Sequence, residues 1–190
     1  MNIIFTRFPL ESAEGGAENQ TQWLWEGLHK RDHHVSFLGS CSVLLRRAQQ
    51  CKMYNVKLKI GAPPVTKFGA ISFFWRKKEI QKKLIEAVLK MNSKPEVLVM
   101  LSLTEKLLLT DWAVSQGIRV FWIEHDRIGN WLTKNPWLGK LKALSRKVMT
   151  VCVSDLSRQK YIKLGWPADR VIAIPNGVPP PQPLPRLRER

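Results

Sequence analysis

Two groups of residues in this chain are of types that do chemistry at the end of a strand. His125-Asp126 directly follows the apolar run 119–123 (RVFWI), and Gly15-Gly16 stands between the run 3–6 (IIFT) and a helix-period segment at 17–31. A histidine at a strand end can hydrogen-bond a sugar hydroxyl or a phosphate, or act as a base if its pKa lies near 7. The plainer alternative for His125 and Asp126 is local bonding in a surface loop. Gly15 and Gly16 would let an anionic group approach the backbone, and the free N–H groups of the helix that follows favour a phosphate. The pair serves equally as a tight turn, since neither G-x-G-x-x-G nor a Walker lysine is present. Ser154 precedes the segment 155–164, as a plain N-cap or as a polar group at a third strand end. Glu18 complements the dipole of the first helix, and His29, His33 and His34 read as surface residues. No His/Cys/carboxylate group has metal-ligand spacing, so no metal is expected, and no serine occupies a G-x-S-x-G turn.

These positions depend on the elements that hold them. Seven short apolar runs, at 3–6, 35–38, 56–60, 97–101, 119–123, 149–153 and 171–174, read as buried strands. Helix-period segments at about 17–31, 73–91, 104–116, 137–147 and 155–164 lie between them. That alternation predicts a single α/β domain, doubly wound and Rossmann-like, with a mostly parallel sheet of about seven strands flanked by helices. In such a sheet ligands bind outside the C-terminal strand ends, the edge shared by Gly15, Gly16, His125, Asp126 and Ser154. Gly117 and Gly165 fit helix C-terminal caps, and Ser102-Leu103-Thr104-Glu105 fits a capping box. The stretch 40–72 reads as a partly irregular excursion at the sheet edge, with a short apolar helix candidate at Val43, Leu44 and Leu45. From Pro175 the composition turns to proline and arginine, so the domain is expected to cover 1–177 and an extended tail 178–190.

Composition excludes several classes. The 190 residues carry a net charge of +16, yet 44% are apolar and eight are tryptophan, so the charge decorates a folded body. The most apolar stretch, 97–109, is interrupted by Glu105 and Lys106, and no spanning helix is expected. The first residues lack the order of a secretory signal. Cys41, Cys51 and Cys152 form no metal or disulfide pattern, which points to a reducing cytoplasm. The segment 73–91 is a basic amphipathic helix: Ile80, Leu84, Val88 and Met91 form an apolar stripe with lysines around it. Phe73, Phe74 and Trp75, with Lys77, Lys78, Lys82 and Lys83, are candidate contacts with an anionic membrane, placing the protein at the inner face of the membrane as a peripheral component.

Four segments together resemble a known family: 15–39 (GGAENQTQWLWEGLHKRDHHVSFLG), 94–100 (KPEVLVM), 120–126 (VFWIEHD) and 151–178 (VCVSDLSRQKYIKLGWPADRVIAIPNGV). In order and spacing they resemble the N-terminal, acceptor-side domain of retaining GT-B glycosyltransferases of the family-four type. The resemblance implies that Gly15 and Gly16 approach the donor diphosphate, that His125 is the catalytic-site residue near the transferred sugar, and that Asp126 and Ser154 lie on the acceptor side. Asn176 and Gly177 would begin the interdomain hinge. In that family the nucleotide-sugar donor substrate binds mainly to a second domain with basic residues and a Glu-x7-Glu motif, neither of which is matched in 1–190. The resemblance therefore implies an acceptor-binding half, inactive alone, that needs a donor-binding GT-B C-terminal domain and a lipid or glycan acceptor, with no cofactor besides. The alternative is a non-catalytic basic module docking on an anionic membrane or a protein partner. Nucleic acid is not expected as a partner, since no motif interleaves the aromatics with the basic residues.

Overall fold

The computed structural model describes residues 1–91, 94–125 and 128–176. Asp126, Gly177 and the tail 178–190 lie outside the described residues. In β1 (Asn2–Arg7) alternate side chains enter two different cores. Ile3 and Phe5 pack with Trp25 and Phe37 on one face of the sheet, while Ile4 packs with Leu84, Leu98 and Trp122 on the other. The chain continues through α1 (Gly16–His29), β2 (His34–Gly39), α2 (Ser42–Gln50), β3 (Tyr54–Lys57) and α3 (Lys67–Leu89). It then crosses back to β4 (Val97–Met100), followed by α4 (Leu103–Ser115), β5 (Arg119–Glu124), the single turn α5 (Asn130–Thr133), α6 (Leu138–Ser145), β6 (Met149–Cys152), α7 (Asp155–Lys163) and β7 (Val171–Ala173).

All seven strands are parallel, in the order β3-β2-β1-β4-β5-β6-β7. The fold is thus the expected α/β, Rossmann-like sheet, with its direction of winding reversing between β1 and β4. That reversal opens a crevice at the C-terminal ends of these two strands. Local chemistry fixes the ends of the elements there. The Ser102 N–H donates to Glu105 Oε1 at 2.7 Å and closes the capping box. Gly117 and Gly165, at φ +73° and +102°, reverse the chain after α4 and α7.

Three expectations change in the structure. The stretch 40–72 contains a full helix, because Val43, Leu44, Leu45 and Ala48 of α2 bury against the core that holds Trp25. Lys52, at φ +53°, and the Met53 N–H to Ala48 carbonyl bond end α2 early enough for β3 to begin at Tyr54, two residues before the expected strand. The third change concerns the basic helix. Thr66 Oγ1 accepts the Gly69 N–H at 3.0 Å, so α3 starts at Lys67 and Phe73 falls within the helix, not at its entrance. Phe73 extends the Ile80–Leu84–Val88 stripe back by one heptad and is fully buried, edge-to-face against Trp137 at 5.2 Å. Phe73 is a core residue and drops out of the candidate membrane contacts. Phe68, Ile71 and Trp75 are exposed apolar residues in the first half of α3, with Phe74 half exposed and packed on Trp137 at 4.3 Å, and Leu89 is exposed at its C-terminal end.

Candidate functional site

Charged side chains from β1, α1, α4 and β5 gather around the crevice. From the end of β1, the Arg7 guanidinium reaches Glu18 Oε1 at 2.7 Å, and Glu18 is buried in the first turn of α1. A Cβ placed on Gly15 would lie 3.3 Å from Glu18 Oε2, whereas one on Gly16 would meet nothing within 4 Å. Gly15 thus leaves room for the Glu18 carboxylate, which itself supplies negative charge at the N-terminus of α1. The Phe8 N–H donates to Ser102 Oγ at 3.0 Å and ties the loop after β1 to the end of β4.

Behind that tie lies a second ion pair. Lys106 in α4 is 3% exposed; its Nζ donates to Glu124 Oε1 at 2.8 Å and to the Ile123 carbonyl at 3.3 Å, and stands 5.9 Å from the Trp122 ring. Glu124 is the last residue of β5, one before His125. Both ring nitrogens of His125 are buried without a hydrogen-bond partner among the described residues. Burial, reinforced by the charges of Arg7 and Lys106, pushes its pKa down to about 4. His125 is therefore a neutral imidazole at physiological pH, able to exchange a hydrogen bond with a ligand but ill-suited to hold a proton there. Glu105 is fully buried and rises to about 7, chiefly through burial. Cys152 is pushed up to about 12 by burial and then by the Glu124 charge, so its thiol is unreactive.

Between the ends of β1, β4 and β5 and the helices α5, α6 and α7 lies a cavity of about 530 Å³. Arg7, Lys106 and Glu124 face it, and Phe8, Leu132, Leu141, Trp131 and Trp166 form much of its wall.

The chain matches the family described as Glycosyltransferase Family 4 over residues 14–181. It belongs to that family. Its fold is similar to that of a glycosyltransferase from Rickettsia africae ESF-5, with a TM-score of 0.65 and 16% identity over 93% of this chain and 43% of that one. It is also similar to Anabaena HepE in complex with UDP-glucose, at TM-score 0.68 and 14% identity over 94% of this chain and 44% of that one. A third likeness is to Acinetobacter baumannii MurG, at TM-score 0.55 and 11% identity over 94% of this chain and 46% of that one. At these identities the likeness is one of fold, and the family 4 chain spans less than half the length of each structure. No curated protein matches it in sequence.

The structure brings some of the expected site residues together. Gly15, the N-cap of α1, follows β1, and His125 follows β5, two strands away in the order β1-β4-β5. Arg7 links them, bonded to Glu18 beside Gly15 and close enough to His125 to depress its pKa. Ser154, at the end of β6, spends its hydroxyl on the Ser157 N–H at 3.1 Å as the N-cap of α7. Asn176 is exposed at the end of the described residues. Among the described residues, the cavity wall includes none of Gly15, Gly16, His125 and Ser154.

Three of the charged residues that line the cavity, Arg7, Lys106 and Glu124, were not singled out by sequence reasoning. Each is the charged residue that breaks an apolar run at a strand end or in a first helical turn (IIFTRF, LTEKLLL, VFWIEH), and burial at such a place demands a partner.

Proposed function

We propose that this chain is the acceptor-binding half of a glycosyltransferase that moves a sugar from a nucleotide-sugar donor to a lipid or glycan acceptor. The observation that carries the reading is the cavity at the winding reversal, where Arg7, Lys106 and Glu124 converge in a chain of glycosyltransferase family 4. HepE and MurG share this fold, and HepE is seen with UDP-glucose. A donor-binding half, on the same polypeptide or another chain, would face the cavity and supply most contacts to the leaving diphosphate, where electrostatic stabilisation counts most. In this reading Gly15 and Gly16 border the donor phosphates, Asp126 and Ser154 belong to the acceptor side, Asn176 and Gly177 open the hinge, and the neutral His125 hydrogen-bonds the transferred sugar.

The same proposal places the protein at the inner face of an anionic membrane. Phe68, Ile71 and Trp75 recur at i, i+3 and i+7 on the exposed face of α3, followed by Lys77 and Lys78. Lys82 and Lys83 are partly compensated by Glu86 and Glu79 one turn away. Among the described residues no helix is long and apolar enough to cross a membrane.

The test is sugar transfer from a panel of nucleotide sugars, read by product mass, for the chain alone and for the chain co-expressed with the coding sequence that follows or adjoins it. Product only from the combination, lost with His125→Ala, is expected. Transfer by the purified chain alone, or none from a folded combination, contradicts the reading.

A further inference from the structure

The cations and the serine and threonine hydroxyls facing the cavity are already engaged. Arg7 is paired with Glu18 and Lys106 with Glu124, while Ser102 Oγ accepts the Phe8 N–H and Thr66 Oγ1 accepts the Gly69 N–H. Glu11, the other charged residue of the lining, is acidic and exposed. Among the described residues, a phosphate or carboxylate entering here would find no uncompensated cation on this wall and would have to break an ion pair whose members are largely desolvated. On a protein of charge +16, the described charges of the lining thus balance, Arg7 and Lys106 against Glu11 and Glu124. The remaining wall is mostly apolar, with Phe8, Leu132, Leu141 and Trp166 all buried and Trp166 Nε1 a donor without a hydrogen-bond partner among the described residues.

A second observation concerns what adjoins the cavity. Residues 63–66 contribute Pro63, Val65 and Thr66 to the wall and run directly into the turns of α3 that expose Phe68, Ile71 and Trp75. Asn135 Nδ2 donates to the Pro64 carbonyl at 2.7 Å and Trp137 Nε1 to the Ala70 carbonyl at 3.2 Å, which clamps that junction against the corner between α5 and α6. The cavity wall and the exposed apolar stripe are therefore one continuous, tied stretch of chain.

Building on the acceptor-side reading, we infer that the cavity takes an uncharged amphiphile: a hydroxyl-bearing or glycosyl head, held at the Lys106–Glu124 corner, on an apolar aliphatic or aromatic body. The apolar wall covers the body, and the Glu124 carboxylate accepts a hydrogen bond from the head. Any charged part of the acceptor stays outside this cavity.

Calorimetric titration of the 190-residue chain with n-octyl β-D-glucoside below its micelle concentration, methyl β-D-glucoside and glucose 6-phosphate tests this. The octyl glycoside should bind at least about tenfold more tightly than the methyl glycoside, because each buried methylene adds to affinity. Glucose 6-phosphate should be weakest. Trp131→Ala should weaken the octyl glycoside about tenfold, and Phe68→Ser with Trp75→Ser should leave it unchanged, with circular dichroism confirming the fold of each. Equal affinity for the two glucosides overturns the inference and leaves the acceptor reading standing. Tightest binding of glucose 6-phosphate, or an octyl preference lost with Phe68 and Trp75 and kept without Trp131, also overturns it. If the octyl glycoside binds as expected while the co-expressed combination makes no product, the glycosyltransfer reading fails and the ligand class stands.

Discussion

Lys106 Nζ lies 2.8 Å from Glu124 Oε1, with the two side chains 4% and 9% exposed, and the pair joins the first turn of α4 to the end of β5 at the wall of the cavity. The attraction between such buried ions is offset by the cost of taking them out of water, so the pair adds little net stability but is expensive to break. It holds Glu124, and with it the backbone that presents His125.

Glu124→Gln should therefore cost about 3–5 kcal/mol, since it leaves the Lys106 ammonium buried without its counter-charge. Lys106→Met combined with Glu124→Gln should recover most of that loss. Urea unfolding of the two variants decides the matter: a double variant as unstable as the single one would show that the charges are not coupled.

Glu105 gives a pH dependence whose sign follows from its raised pKa. The folded protein holds this proton up to about pH 7, against 4.5 when unfolded, so the stabilisation is complete below 4.5 and is lost as pH rises through 7. Glu105→Gln keeps an oxygen for the Ser102 N–H and removes the buried charge. Its stability relative to the parent should be unchanged near pH 4.5 and higher by about 3 kcal/mol at pH 8. A pH-independent difference would place the Glu105 carboxyl in a solvated environment.

His125 acts in the opposite sense. With its pKa lowered from 6.5 to about 4, the folded state is favoured above pH 6.5 and loses that stabilisation as pH falls towards 4. His125→Asn should lose this acid-side term, so the variant gains stability relative to the parent as pH drops from 7 to 4. Titration of the His125 ring by NMR gives a direct check: a midpoint near 6.5 would mean that the ring is solvated.

Much of this fold was legible in the sequence, because most strands are apolar runs bounded by turn or capping residues; β3 (YNVK), at the sheet edge with no buried residue, was placed two residues late. The phase of α3 was harder to read. Its start rests on a single Thr66 cap after a proline pair, and missing it shifts Phe73 from core to surface. At the site, the glycine pair and His125 are visible as residue types at strand ends. The pairings Arg7–Glu18 and Lys106–Glu124 join residues 11 and 18 positions apart, and only the strand order β1-β4-β5 brings these pairs together around one cavity. Charge pattern along one chain does not contain that order.

The exposed stripe on α3 should make the chain prefer anionic over neutral vesicles, with affinity falling steeply between low and physiological salt. Each lysine near an anionic surface contributes about 1 kcal/mol, screened beyond about 8–10 Å. Flotation with Phe68→Ser and Trp75→Ser, or with Lys77→Glu and Lys78→Glu, should show weakened binding. Phe73→Ala should instead cost about 3–5 kcal/mol in unfolding, as expected of a buried ring. Vesicle binding indifferent to lipid charge would contradict the membrane contact.

If this cavity serves the acceptor and not the donor, the indole N–H signals of Trp131 and Trp166 on the cavity wall report on it. In a titration followed by NMR, with the two signals assigned by single Phe substitutions, n-octyl β-D-glucoside should shift both to saturation, and UDP-glucose added to the chain alone should leave both in place. Saturating shifts with UDP-glucose and none with the glycoside would make this cavity a donor site and not an acceptor site.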